Sequence, residues 1–143
     1  MHPEPSLSRA VLPDEDSTLA LGASLAPLVE AGSLVFLVGD LGAGKTTFAR
    51  GFLRARGWTE SVRSPTFPIL RSYPLPVPVH HLDLYRIGGL EEALGLDFES
   101  LLEGGGVVLV EWPERLEGHF RPDWTVHLSI EGDGRVATTT RGR

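Results

Sequence analysis

Residues 39–47, GDLGAGKTT, carry the clearest chemistry in this 143-residue chain. Gly39, Gly44, Lys45 and Thr46 match G-x-x-x-x-G-K-[ST], the pattern of a phosphate-binding P-loop. The glycines let the loop turn back so that several backbone N–H groups point at one phosphate. The Lys45 ammonium would reach the β- and γ-phosphates, and the Thr46 hydroxyl would bind magnesium. The motif predicts nucleotide binding by Asp40, Leu41, Gly42, Ala43, Gly44, Lys45, Thr46 and Thr47.

Lys45 is the only lysine in the sequence, and the other twelve cationic side chains are arginines. A compact ammonium on a thin stem fits between phosphates, whereas a planar guanidinium is too bulky there. The chain therefore keeps lysine at the position where arginine would be a poor substitute.

A P-loop must lie between a strand and a helix. Residues 33–38, SLVFLV, form an almost wholly apolar run bounded by glycines, which predicts a strand buried on both faces. After the motif, apolar side chains recur at helical spacing and Gly57 offers a stop. Near the N-terminus, PDEDST supplies Ser17 or Thr18 as the N-cap of another predicted helix.

Two acidic residues follow other predicted strands. Residues 107–110, VVLV, end in Glu111, as in a Walker B strand whose acid lies at the carboxyl end. Residues 79–86 alternate with period two, so that His81 and Asp83 share a face and Asp83 could approach magnesium. His80 and His81 point to opposite faces and cannot bind one metal together, so we expect each to be hydrogen-bonded or exposed.

Composition excludes several classes of protein. The chain has no cysteine, which removes disulfides and thiolate metal sites. A net charge of -6 argues against direct capture of nucleic acid, so contact with RNA is expected through a partner. Residues 1–18 have neither a basic start nor an apolar h-region, and no apolar run approaches the ~18 residues of a membrane span, so we expect no targeting signal. A chain of 15.5 kDa that is 41% hydrophobic suits one globular domain and is too small for two. Together these features predict one cytoplasmic domain over residues 1–143, without a membrane segment.

The missing residue types also limit the mechanism. The chain has no Asn and no second Lys, which excludes the N-K-x-D element of guanine recognition and favours ATP. It has no Gln, so a Ras-type glutamine cannot position water. Glu111 is therefore the candidate either to orient or deprotonate water, or to bind magnesium. The sequence does not rank these two roles.

Five segments, in their order and spacing, resemble the TsaE family, the small bacterial ATPases of tRNA threonylcarbamoyladenosine synthesis. They are GDLGAGKTTFARGFL, SPTF, HHLDLYR, EEALGLDF and VEWPER. The resemblance implies an α/β P-loop fold with a mainly parallel central sheet flanked by helices. It also implies ATP hydrolysis with Mg2+, and work as an accessory to the TsaD and TsaB proteins, which carry the transfer chemistry on tRNA.

The same resemblance implies roles for individual residues. Phosphate and magnesium binding fall to Lys45 and Thr46, and the acidic site residues are Asp83 and Glu111. The other positions that match the family's site are Thr66 in a switch-like loop, Trp112 after the acid, and Glu15 and Arg135 bordering the nucleotide. Towards the C-terminus, VHLSI followed by GDGR is similar to the closing strands of the family.

Two alternative functions remain open. A small-molecule P-loop kinase would need an arginine-rich lid, for which the candidates are Arg50, Arg54, Arg56, Arg63 and Arg71. These arginines also fit a solvated helix face and the loop after it. A non-hydrolysing switch would bind ATP and change shape without turnover. For the ATPase we expect weak activity alone, because the chain has few groups to close over the γ-phosphate without a partner.

Overall fold

The computed structural model describes residues 7–62 and 69–142. Within these residues, seven strands form one sheet and four α-helices pack on it. The strands are β1 (Leu7–Leu12), β2 (Leu34–Val38), β3 (Leu70–Tyr73), β4 (Val79–Asp83), β5 (Val107–Glu111), β6 (Trp124–Glu131) and β7 (Gly134–Arg141). The helices are α1 (Glu15–Leu25), α2 (Lys45–Ala55), α3 (Leu90–Leu94) and α4 (Phe98–Glu103). Short 3-10 turns occupy Ala26–Leu28 and Pro113–Leu116.

The strand order is β1-β7-β6-β2-β5-β4-β3. The four central strands β6, β2, β5 and β4 are parallel, whereas β1, β7 and β3 pair antiparallel with their neighbours at the two edges. This arrangement confirms the predicted α/β fold with a parallel central sheet and flanking helices. The P-loop follows β2, in the middle of the parallel region, where open α/β sheets bind ligands.

The central strands are buried on both faces, which explains their nearly continuous apolar sequences. On one face, Val35 and Leu109 pack with Phe48 and Phe52 of α2 and with residues of α1. On the other face, alternate residues of the same strands pack against α3, α4 and the turn at Pro113–Leu116. Glu111 follows Leu109 by two residues in β5, so its side chain projects to the same face of the sheet, where α2 lies.

Helices α1 and α2 approach each other through glycines. A Cβ atom at Gly22 would lie 2.1 Å from the carbonyl oxygen of Phe48, and one at Gly51 would lie 2.0 Å from that of Leu19. Any side chain at these positions would clash with the opposite backbone, so the two helices pack with their backbones in contact. The contact holds α2, and with it the end of the P-loop, against α1.

The predicted N-cap of α1 was wrong. Helix α1 begins at Glu15, with Asp14 as its N-cap, whose Oδ1 accepts from the Ser17 backbone N–H at 2.8 Å. The Ser17 hydroxyl in turn accepts from the Asp14 backbone N–H at 3.2 Å. This reciprocal pair is a capping box, in which Asp14 is the N-cap and Ser17 is the third helical residue. Asp is as good an N-cap as Ser.

No helix in the described ranges is long and apolar enough to cross a membrane.

Candidate functional site

The P-loop connects the carboxyl end of β2 to α2, whose first residue is Lys45. Gly42 and Gly44 have φ angles of 82° and 106°, a left-handed backbone that side chains rarely adopt. The turn directs the N-terminal end of α2, with its unpaired N–H groups and positive dipole end, toward the space above the sheet. This geometry is the one that the motif predicts for phosphate binding.

A pocket of ≈ 470 Å³ opens beside this end of α2. The volume is within the usual range for small-ligand sites, about 300–1,000 Å³. The residues that line the pocket are Leu41, Gly42, Gly44, Lys45, Thr46, Thr47, Ile69, Asp83, Tyr85, Arg86, Glu111 and Trp112. The pocket therefore brings together the P-loop residues and both predicted acids, from three different parts of the chain.

The Lys45 side chain is buried in this pocket, with 5% of its surface exposed. Its Nζ donates to the Gly39 carbonyl oxygen and lies 3.8 Å from the centroid of the Trp112 ring. Burial lowers the pKa of Lys45, and the negative charges of Glu111 and Asp83 partly oppose that change. A cation that is desolvated and forms no ion pair within residues 7–62 and 69–142 is suited to bind an anion that enters the pocket.

Trp112 has an unusual backbone conformation, with φ 59° and ψ 51°. A left-handed backbone costs a residue with a side chain about 1–2 kcal/mol, and Pro113 follows directly. The conformation turns the Trp112 ring back over Lys45, and the Tyr85 ring packs on it at 4.9 Å between centroids. Trp112 was predicted from the family resemblance, whereas the participation of Tyr85 was not.

Glu111, at the end of β5, is buried with 3% of its surface exposed. Its Oε2 lies 3.4 Å from the Thr46 hydroxyl oxygen. The same Oε2 lies 2.7 Å from Nε2 of His81, which is fully buried. The sequence predicted only a hydrogen-bonded or exposed histidine here. The pairing could have been inferred from the shared face of His81 and Asp83, once β4 was placed beside β5.

Asp83 is opposite Glu111 in the register of β4 and β5 and lines the same pocket. Its Oδ1 accepts from the Tyr85 backbone N–H at 3.0 Å, which turns the chain at the end of β4. Arg86, also in the lining, was not among the predicted site residues. Its position three residues after Asp83, in the segment that follows β4, could have indicated that Arg86 lies near the site.

A second, smaller pocket of ≈ 170 Å³ lies on the other side of the P-loop. The two pockets share Gly42, Gly44 and Thr47, and the second also contains Glu15 and Arg135. Arg135 donates from Nε and Nη2 to the Gly42 carbonyl oxygen, at 3.2 and 2.9 Å. The two residues that resemblance assigned to the border of the nucleotide thus lie together beside the loop.

The remaining predicted site residues have different surroundings. Asp40 and Leu41 are exposed, and Leu41 lines the first pocket. The side chain of Ala43 is buried in the core, so only its backbone faces the loop. Thr66 lies outside the described residues.

The arginines considered for a kinase lid do not gather at the site. Arg50 forms an ion pair with Glu15 at 3.2 Å, and Arg56 donates to the Val29 carbonyl oxygen at 2.7 Å. Arg54 and Arg71 are exposed. None of these four lines either pocket, and Arg63 lies outside the described residues.

The described part of the chain holds no group of three or more His, Asp or Glu side chains that could bind a metal by themselves. Thr46 and Glu111 nevertheless offer two oxygen donors, 3.4 Å apart, at the P-loop. Mg2+ commonly takes one or two oxygen ligands from the protein and the others from phosphate and water. The donor set therefore fits magnesium bound together with a nucleotide.

Comparison with known proteins gives consistent matches. The family model "Threonylcarbamoyl adenosine biosynthesis protein TsaE" matches residues 12–140. The protein named tRNA threonylcarbamoyladenosine biosynthesis protein TsaE from Nostoc sp. is 42% identical over 129 residues, covering 87% of this chain and 78% of the relative. The protein of the same name from Bacillus subtilis is 44% identical over 110 residues, covering 76% and 67%.

The solved structures give a similar result. The crystal structure of YdiB from Bacillus subtilis matches with a TM-score of 0.78 and 30% identity, covering 99% of this chain and 90% of the other. The fold thus agrees with that of a solved protein over nearly the whole chain. Because the family model also covers most of the sequence, the chain belongs to the TsaE family.

Proposed function

We propose that this protein binds and hydrolyses ATP with Mg2+ as an accessory to threonylcarbamoyladenosine modification of tRNA, acting with the TsaD and TsaB proteins. The observation that carries the proposal is one pocket that combines the P-loop residues Lys45 and Thr46 with the buried acid Glu111. The names of the family and of its relatives support the pathway.

The triphosphate of ATP would lie in the larger pocket, against the P-loop N–H groups and the N-terminal end of α2. There Lys45 would exchange the Gly39 carbonyl oxygen for oxygens of the β- and γ-phosphates. The rest of the nucleotide would extend across the loop toward the smaller pocket, where Glu15 and Arg135 lie. Because the chain has no Asn for an N-K-x-D element, we favour adenine over guanine.

The residues allow hydrolysis by positioning and charge stabilisation, without a covalent intermediate. Magnesium held at the P-loop would supply positive charge against the negative charge that develops on the phosphates. The Thr46 hydroxyl would hold the ion. The Glu111 carboxylate would either hold the ion as well or orient and deprotonate the attacking water, since both roles place it near the γ-phosphate.

The rim of the larger pocket supports a role for partners. Leu41 and Tyr85 lie there with 64% and 40% of their surfaces exposed. Exposed apolar side chains around a binding site suit contact with another protein, which would close the pocket over ATP and exclude water. The net charge of -6 favours contact with tRNA through the complex rather than directly. Such work on tRNA would take place in the cytoplasm.

The test is ATP hydrolysis by the purified protein alone, with TsaD and TsaB, and with tRNA added. We expect slow phosphate release alone and faster release with the partners. An unchanged rate at saturating partner would contradict activation. The Lys45→Ala variant in the same reactions measures any contaminating ATPase.

The same reactions distinguish the alternatives. ATP retained intact with every partner present would favour the non-hydrolysing switch. Transfer of the γ-phosphoryl group to an added metabolite, rather than to water, would favour a kinase.

A further inference from the structure

The contact between His81 and Glu111 has no role in the function proposed so far. His81 is fully buried, and its Nε2 is 2.7 Å from Oε2 of Glu111. We propose that His81 is a positioning residue, which fixes one oxygen of Glu111 so that the other is directed at the bound ATP. This inference rests on the proposed function, because it assigns Glu111 to the reaction.

Strand register brings the two side chains together. In the parallel pair of β4 and β5, His81 is opposite Leu109 and Asp83 is opposite Glu111. Opposite residues in a sheet point to the same face, so His81 reaches Glu111 along a diagonal. Since Leu109 packs on the side of α2, this face is also the one from which the P-loop extends.

The proposed role of Glu111 requires the histidine proton on Nε2. In the reaction Glu111 acts as a carboxylate, which can only accept, so the ring donates from Nε2 to Glu111. The other ring nitrogen, Nδ1, is buried and has no hydrogen-bond partner among the described residues. Burying an unpaired polar atom is unfavourable, so an apolar side chain would fill this space at lower cost. The polar ring is therefore explained by its hydrogen bond with Glu111, the one that His81 forms through its ring within the described ranges.

Both contacts of Glu111 are made by the same oxygen. Oε2 accepts from Nε2 of His81 and from the Thr46 hydroxyl, whereas Oε1 forms no hydrogen bond with the described residues. Glu111 also lines the pocket. A glutamate has several rotamers, and a bond that selects one of them keeps the carboxylate in its reactive orientation before ATP binds. Oε1 is then the oxygen available to the attacking water, whereas Oε2 stays beside the Thr46 hydroxyl, where the two donors would share magnesium.

The test compares His81→Met with His81→Gln. The two substitutes have similar length and volume, but only Gln offers an N–H donor near the position of Nε2. We expect His81→Met to lower kcat by roughly 10- to 100-fold, as removal of outer partners does in metal sites. The KM for ATP should change less than about threefold, and His81→Gln should retain most of the turnover. Thermal unfolding of both variants controls for stability.

His80→Met is the matched control variant. His80 precedes His81 but points to the opposite face, where its Nδ1 lies 2.7 Å from the Ser72 hydroxyl oxygen. This substitution should leave kcat and KM close to the wild-type values. Equal loss of kcat in His81→Gln and His81→Met would overturn the proposal, since it would indicate only a packing role. Wild-type kcat in His81→Met would also overturn it, while leaving the proposed ATPase function intact.

A measurement without turnover separates the two proposals. NMR of the wild-type protein with 15N-labelled histidine should show His81 protonated at Nε2, and Glu111→Gln should shift that signal. A proton on Nδ1 alone, or no response to Glu111→Gln, would overturn the positioning role. If these signals are found but the wild-type protein never hydrolyses ATP with any partner, the ATPase proposal fails and the His81–Glu111 contact stands.

Discussion

The two pockets that meet at the P-loop differ in how far their charged groups are removed from water. In the larger pocket, Lys45 and Glu111 are 5% and 3% exposed. Beside the smaller pocket, the side chain of Glu15 is 67% exposed and that of its ion-pair partner Arg50 is 29% exposed. The same loop therefore has a buried cation and a buried acid on one side, and an exposed ion pair on the other.

This difference predicts where the energy of binding and catalysis originates. Electrostatic interactions are stronger in a buried site, where the effective dielectric constant is low, than at a surface. Exposed ion pairs typically contribute about 0–1 kcal/mol and weaken with salt. We therefore expect the larger pocket to determine phosphate binding and turnover, and the smaller pocket to add modest affinity for the rest of the nucleotide.

The largest effect is expected for Lys45→Ala. The substitution removes the buried cation of the larger pocket, and a charged hydrogen bond is worth about 1.5–3 kcal/mol for each phosphate oxygen contacted. Loss of two such bonds should lower ATP affinity by at least about 100-fold, measured by calorimetry. Arg54→Ala removes an exposed cation from the same helix and is the control. Wild-type affinity in Lys45→Ala would contradict the P-loop assignment.

Glu111→Gln and Asp83→Asn should affect turnover more than binding. Both carboxylates line the larger pocket, and their charge matters most as the transition state develops. We expect kcat to fall roughly 100-fold in each variant, while ATP affinity changes by less than about tenfold. Single-turnover hydrolysis beside equilibrium binding measures the two effects. The exposed Glu103→Gln on α4 is the control, and near wild-type turnover in both pocket variants would mean that the acids are structural.

The larger pocket was also the part best predicted from sequence. Its elements are local and contiguous: an apolar run, a glycine loop and a helix, then VVLV ending in Glu111. The predicted strand at residues 33–38 differs by one residue from β2, and β5 ends at Glu111 as predicted. Parallel strands buried on both faces have a recognisable composition, and their carboxyl ends meet at one edge of the sheet.

Features that depend on pairing between distant segments were not predicted. Strand β1 pairs with β7, from the other end of the chain, and no local pattern identified it. The contact of His81 with Glu111 depends on the register of β4 against β5, which a single sequence does not specify. Arg135 reaches Gly42 across the sheet, and only family resemblance had indicated its place.

Arg135→Ala tests the smaller pocket. The planar guanidinium donates twice to the Gly42 carbonyl oxygen, so the substitution releases the outer side of the loop. We expect ATP affinity to fall about three- to tenfold, as for loss of one or two partly exposed hydrogen bonds, with kcat nearly unchanged. Titration calorimetry and steady-state kinetics measure these values, with Arg141→Ala on the same strand as the control. A loss of ATP affinity as large as that of Lys45→Ala would contradict the expected difference between the two pockets.

The smallest effect is expected for Glu15→Ala. Glu15 lies in the first turn of α1, where its negative charge interacts favourably with the positive end of the helix dipole. It also forms an ion pair with Arg50 at 3.2 Å. An exposed pair and an exposed dipole contact together contribute on the order of 1 kcal/mol or less to the free energy of unfolding. Urea unfolding should show that loss at low salt and a smaller one at 1 M salt, where charges are screened within about 3 Å. A double-mutant cycle with Arg50→Ala isolates the pair. A coupling above about 2 kcal/mol that persists at high salt would show that this side of the loop is electrostatically as strong as the buried one.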